Sequence, residues 1–120
     1  MTAETQTYAQ ELRWLLEQIC VSLKGLSAAQ LNWRPDTGSA NSAYSIGAHV
    51  AAVTRVYALG FGCGRAVQHD RSTEFAASGT DAGPLIARRE ALAAEITSAL
   101  ADLAPSALDR CFVPPRELWG

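Results

Sequence analysis

The sequence predicts an all-α protein, a helical bundle in which long crossover loops join three long helices. Apolar residues recur at helical spacing in three segments of the 120-residue chain. Alanine is abundant, which suits helices that pack closely against one another. No two segments show the alternating pattern of paired strands. The two connections between the helices are long, which favours crossovers over a simple up-and-down series.

The first helix has the clearest pattern. Its apolar stripe follows the spacing i, i+3/i+4, i+7, and comprises Tyr8, Leu12, Leu15, Leu16, Ile19, Leu23 and Leu26. Gly25 and Ser27 close the helix. The segment from Ser27 to Gln30 has the form of a capping box, which predicts a short helical turn before the break at Pro35.

The second helix is expected from about Ala43 or Ser45 to Leu59, with a buried stripe formed by Ile46, Val50, Val53 and Tyr57. The glycine run 60–64 should end it, with glycine in the left-handed conformation. A phosphate-binding loop would need a strand before the glycines and a helix directly after them. Here a helix precedes and a polar loop follows, so we do not expect one.

Residues 65–79 are expected to form a long polar connection. The third helix should begin near Thr80 or Asp81, with Pro84 in its first turn, and should end at Pro105. Arg89 interrupts its stripe, so we expect the arginine stem to cover apolar surface while the charge reaches water. Residues 106–112 suit another short turn. The expected core of the three helices comprises Leu12, Leu16, Ile19, Val53, Leu92, Ile96 and Leu100.

Composition predicts one domain over residues 1–120 and excludes several classes of function. Ten basic and twelve acidic side chains give a net charge of −2, so no attraction to nucleic acid is expected. Three widely spaced cysteines suggest reduced thiols. The longest uncharged stretch, 37–54, contains too many polar residues and glycines to span a membrane. A cytoplasmic protein is therefore expected.

His49 is the most informative residue, because it lies on the predicted apolar stripe of the second helix. A buried imidazole needs a partner, which could be a backbone carbonyl, a carboxylate or a metal ion. Ser42 and Ser45 are near it in sequence, but no acid is evident to orient the ring, so a hydrolytic triad is not expected.

The other polar candidates lie in the 65–79 connection. His69 is expected to be solvated there. Asp70 and Glu74 could be paired carboxylates, but exposed ion pairs with Arg65 and Arg71 are the simpler expectation. The tryptophans Trp14, Trp33 and Trp119 are expected to serve as core or interface anchors.

Three passages resemble the DinB-like superfamily of four-helix-bundle metalloproteins. Residues 26–35 resemble its leucine-rich turn ending in tryptophan and proline. Residues 45–51 resemble the start of its second helix, where a histidine is a metal ligand. Residues 70–75 resemble a polar loop of one branch.

The resemblance implies a metal-dependent transferase that acts on small-molecule thiols. Its metal, nickel or zinc, is held by three histidines, one on the second helix and two in a His-x-x-x-His pair on the last helix. The bound thiol becomes the nucleophile as a thiolate. In this chain only His49 matches a ligand position, and the resemblance assigns no catalytic residue.

The last helix of the family has no counterpart here, so we expect a domain that is incomplete at its C-terminus and weakly metallated or metal-free. The thin core and the apolar pair Leu118 and Trp119 predict a homodimer. The alternative is a non-catalytic helical module that works by self-association or partner binding.

Overall fold

The structure, a computed structural model, describes residues 1–111, and these residues contain helices and no strands. The all-α prediction is confirmed, with three long helices as expected. In chain order the elements are α1 (Ala3–Leu23), α2 (Ala28–Asn32), α3 (Ala43–Arg55), a π-helical continuation (Val56–Gly62), α4 (Arg71–Phe75), α5 (Gly83–Ala101) and a 3₁₀ turn (Pro105–Asp109). Within residues 1–111, no helix combines the length and apolar character that a membrane span requires.

The three long helices pack against one another, and α2 and α4 pack on α3. Gly47, near the start of α3, lies beside Leu23 at the end of α1 and Leu85 at the start of α5. Further along, Arg55 of α3 pairs with Glu95 of α5. Hence α3 and α5 run parallel, while α1 is antiparallel to both. The segment between α3 and α5 is therefore a crossover, as predicted.

The core differs from the prediction in the face that α3 presents. Its buried residues are mostly small and include Gly47, Ala48, Ala51 and Ala52. The predicted stripe faces outward, since Ile46 is 47% exposed and Tyr57 is 39% exposed. The reason is that small side chains let α3 approach α1 and α5 closely, whereas a face of large residues would hold the helices apart.

The predicted core residues of α1 and α5 are mostly confirmed. Four of the seven are buried, namely Leu16, Leu92, Ile96 and Leu100, and Leu12 and Ile19 pack at the edge of the core. Val53 is only half-buried, so its placement in the core is wrong. Tyr8 and Leu15, assigned to the buried stripe of α1, are also exposed.

The helix ends follow the local sequence signals. The predicted capping box is present, because Ser27 Oγ accepts from the Gln30 amide at 3.1 Å and Gln30 Oε1 accepts from the Ser27 amide at 2.9 Å. Gly64 has a φ of +69°, the left-handed conformation expected for the glycine run. The helix reaches Gly62 rather than Leu59, because its last turns widen into a π-helix.

The remaining expectations concern Arg89, the tryptophans and the cysteines. The Arg89 side chain is 15% exposed and pairs with Glu17 rather than reaching water. Trp14 and Trp33 are exposed, so neither is a core anchor, and Leu118 and Trp119 lie outside residues 1–111. The cysteines Cys20, Cys63 and Cys111 are free thiols, as predicted.

Candidate functional site

The short helix α4, within the crossover, carries two of the side chains that contact His49. Asp70 caps the N-terminus of α4: its carboxylate accepts from the Ser72 amide at 3.1 Å and the Ser72 hydroxyl at 2.7 Å, and also binds Thr73. These hydrogen bonds, led by that of the Ser72 hydroxyl, lower the pKa of Asp70. The long polar connection predicted over residues 65–79 thus contains a short helix, Arg71–Phe75, that was not predicted. One turn after Asp70, α4 turns Glu74 toward α3.

Glu74 is buried and binds His49. Its carboxylate Oε1 lies 2.8 Å from His49 Nδ1, and the residue is 6% exposed. A carboxylate accepts hydrogen bonds, so Nδ1 carries the proton and, in a neutral ring, Nε2 keeps its lone pair. Of the three partners considered for His49, a backbone carbonyl, a carboxylate or a metal ion, the structure shows the carboxylate. The expectation that no acid orients this imidazole, and that Glu74 lies in an exposed ion pair, is wrong.

His69 approaches the other oxygen of the same carboxylate. Its Nδ1 lies 3.2 Å from Glu74 Oε2, and its side chain is 16% exposed. The alignment is too poor for a hydrogen bond, and this buried nitrogen has no other partner within residues 1–111. The contact between His69 and Glu74 is therefore electrostatic. The prediction of a solvated His69 is wrong, because the residue lies between α4 and the body of the bundle.

An aromatic stack also holds the His49 ring, on its face rather than at Nδ1. The Phe75 ring lies nearly parallel to the imidazole, with centroids 4.7 Å apart and an interplanar angle of 25°. The Arg71 guanidinium lies over the same phenyl ring, 5.2 Å from its centroid. Together, Glu74 and Phe75 hold His49 in one orientation.

His49 lies at the boundary between the buried and exposed faces of α3, with its side chain 29% exposed. A cavity of about 250 Å³ lies on the other side of Glu74. Its walls include Ala48, Ala52 and Arg55 of α3, His69 and Glu74 of the crossover, and Arg88 of α5, whereas His49 is not part of its lining.

The described residues contain one feature that is common beside metal-binding histidines. The bond to Glu74 is the arrangement by which a carboxylate orients a metal-binding histidine, with Nε2 available for the ion. Within residues 1–111, however, no three His, Cys, Asp or Glu side chains converge as a metal site would require. These residues therefore do not fit a complete metal centre, whereas His49 alone fits the role of a single ligand.

Ser42 and Ser45 act in helix capping. Each hydroxyl accepts a hydrogen bond from the backbone amide of the other residue at 3.0 Å, and the Ser45 hydroxyl donates to the Ser42 carbonyl. Both hydroxyls are thus engaged in the cap at the start of α3.

Sequence reasoning missed the role of Glu74. The signal that could have found it is the N-cap pattern of Asp70 followed by Ser72 and Thr73, which predicts a helical turn and places Glu74 one turn further on. His49 and Glu74 are 25 positions apart in the sequence, so no local pattern could reveal their contact.

Searches of curated proteins and of solved structures gave no match. A family model described as the DinB superfamily matches residues 9–120. Since that match covers nearly the whole sequence, the chain belongs to the DinB superfamily.

Proposed function

We propose that this chain contributes one ligand, His49, to a metal-dependent enzyme that transfers groups to or from small-molecule thiols. The observation that supports the proposal is the hydrogen bond between His49 and the buried Glu74 carboxylate. It fixes the tautomer in which the lone pair of Nε2 is free to bind a metal ion. Nickel and zinc both accept imidazole nitrogen as a ligand.

The remaining ligands would lie outside these 120 residues. The sequence contains two histidines, and both turn Nδ1 toward Glu74. The family resemblance implies two further histidines on a last helix. A single imidazole gives little of the affinity of a three-ligand site, so this chain alone should hold metal weakly.

The test is metal analysis of the full-length protein, purified without a histidine tag and loaded with nickel or zinc. His49→Ala should abolish stoichiometric metal while retaining most of the helical content. Glu74→Gln should weaken metal binding by about 10- to 100-fold, because the orienting acceptor loses its charge.

His69→Ala is the matched control, since it removes the other imidazole beside Glu74 and should leave the metal in place. Consumption of a free thiol in the presence of an aryl chloride then tests the transferase activity of the metal-loaded protein. Metal retained by His49→Ala, or a full-length protein that takes up neither ion, would refute the proposal.

A second candidate is a non-catalytic module that works through association of two copies. The outward row on α3, with Ile46 exposed and Val50 and Val53 half-buried, favours it. Such a row exposes apolar surface to water unless another molecule packs against it. Sedimentation equilibrium at micromolar concentration distinguishes the two: a stable dimer without metal supports this candidate.

A further inference from the structure

We infer that the cavity between α3, α4 and α5 binds a small carboxylate-bearing molecule through Arg88. The inference goes beyond the proposed function, because it needs neither a metal nor a further helix. Its basis is the Arg88 guanidinium, which alone among the charged side chains of the cavity wall has no hydrogen-bond or ion-pair partner within residues 1–111.

The other charged groups of the wall are already engaged. Arg55 makes a two-pronged contact with Glu95, in which Nη2 lies 3.1 Å from Oε1. The Asp70 carboxylate is turned toward the amides and hydroxyls of Ser72 and Thr73. Both Glu74 oxygens face imidazoles.

Arg88 lies on the exposed side of α5 at the edge of this cavity. Its guanidinium presents parallel N–H donors that match the two oxygens of a carboxylate. A dianionic phosphate fits less well, because one free cation would have to balance it close to the carboxylates of Asp70 and Glu74. The wall therefore favours a monoanion.

The remaining lining sets the size and character of the ligand. Ala48, Ala52 and Ala77 form an apolar surface, and the Gln68 amide adds a polar group without a partner in the described part of the chain. The volume of about 250 Å³ equals that of about eight water molecules in the liquid. A short aliphatic acid fits these limits.

The test is a titration of the 120-residue chain with sodium butanoate, followed by two-dimensional NMR of the backbone amides. Saturable shifts are expected at Ala48, Ala52 and Ala77. Butanamide has the same shape without the charge, and it should bind at least about tenfold more weakly, as should inorganic phosphate.

Arg88→Gln should weaken butanoate binding by about tenfold or more, and Arg88→Lys should restore part of it. Arg65→Gln is the control, because Arg65 is a partly exposed arginine outside the cavity that pairs loosely with Asp102 at 3.6 Å. Equal binding of butanoate and butanamide, phosphate binding as tight as butanoate, full affinity in Arg88→Gln, or no saturable shift would each overturn the inference.

Discussion

The two faces of α3 differ in side-chain size rather than in polarity. The inner face, with Gly47, Ala48, Ala51 and Ala52, is buried against α1 and α5. The outer face carries the larger apolar residues, of which Ile46 is 47% exposed. Close helix packing thus selects the small residues for the interior, and it leaves the large ones available for another surface.

The same contrast occurs between two neighbouring leucines of α1. Leu16 is 4% exposed and packs in the core cluster that includes Ala51, whereas Leu15 is 52% exposed. Leu16 therefore lies inside the bundle and Leu15 outside it. Because their side chains are identical, they form a matched pair for measuring how much each environment contributes to the free energy of unfolding.

The largest effect is expected from Leu16→Ala. Removing this buried side chain should lower the free energy of unfolding by about 2–5 kcal/mol, through lost apolar burial and the cavity left behind. Urea denaturation followed by circular dichroism measures it. Leu15→Ala is the control and should cost less than about 1 kcal/mol. Equal losses for the two variants would contradict the inside and outside assignments.

Gly47→Val should have the next largest effect. A Cβ at Gly47 would lie 2.7 Å from Leu23 Cδ1 and 3.1 Å from Leu85 Cδ1, so both leucines must move to admit it. Overpacking of this kind should lower the free energy of unfolding by about 1–3 kcal/mol.

The control for Gly47→Val is Ala91→Val on the exposed side of α5, where only the helix propensity changes, by about 0.5 kcal/mol. A Gly47→Val protein as stable as this control would show that α3 does not approach its neighbours as closely as described.

Ile46→Ser tests the outer face. Because Ile46 is exposed within one copy, the change should alter the free energy of unfolding of a monomer by less than about 0.5 kcal/mol. If a second copy covers this face, the same change should weaken dimerisation in sedimentation equilibrium. Ala94→Ser, on the exposed side of α5, should leave the association unchanged. A variant that unfolds readily would show that Ile46 belongs to the core.

Sequence patterns predicted where the helices lie better than which face of each helix is buried. Periodicity and caps located the three long helices, because these signals act within a few residues of one another. The buried face of α3 was assigned wrongly, since both of its faces are apolar and periodicity favours the larger residues. Which face is buried depends on how closely α1 and α5 approach, and that distance is set by contacts far apart in sequence.

The candidate site was predicted only in part for a similar reason. His49 was recognisable as a polar residue on an apolar helix and as the position that matches the family. Glu74 contacts His49, and His69 contacts Glu74, only because of the path of the crossover, which depends on the parallel packing of α3 and α5. The helix α4 has five residues, too few for a periodic pattern, so only its capping residue Asp70 signalled it.

The smallest effect concerns that cap at the start of α4. Hydrogen bonds from Ser72 and Thr73 hold the pKa of Asp70 below its usual range. The folded state therefore binds this proton less tightly than the unfolded chain. The stabilisation from Asp70 is present above its unfolded pKa of about 4, and it is lost as the pH falls through the lower folded value.

Amide hydrogen exchange at Ser72 and Thr73 measures this loss, because both amides donate to Asp70. After correction for the intrinsic exchange rate, their protection should fall below about pH 4 while that of core amides in α1 stays constant. Asp70→Asn is the control, since asparagine caps a helix about as well but does not titrate in this range. Its protection should not change with pH over the same interval. Protection that falls equally in both proteins would place the acid-sensitive group elsewhere than at the cap of α4.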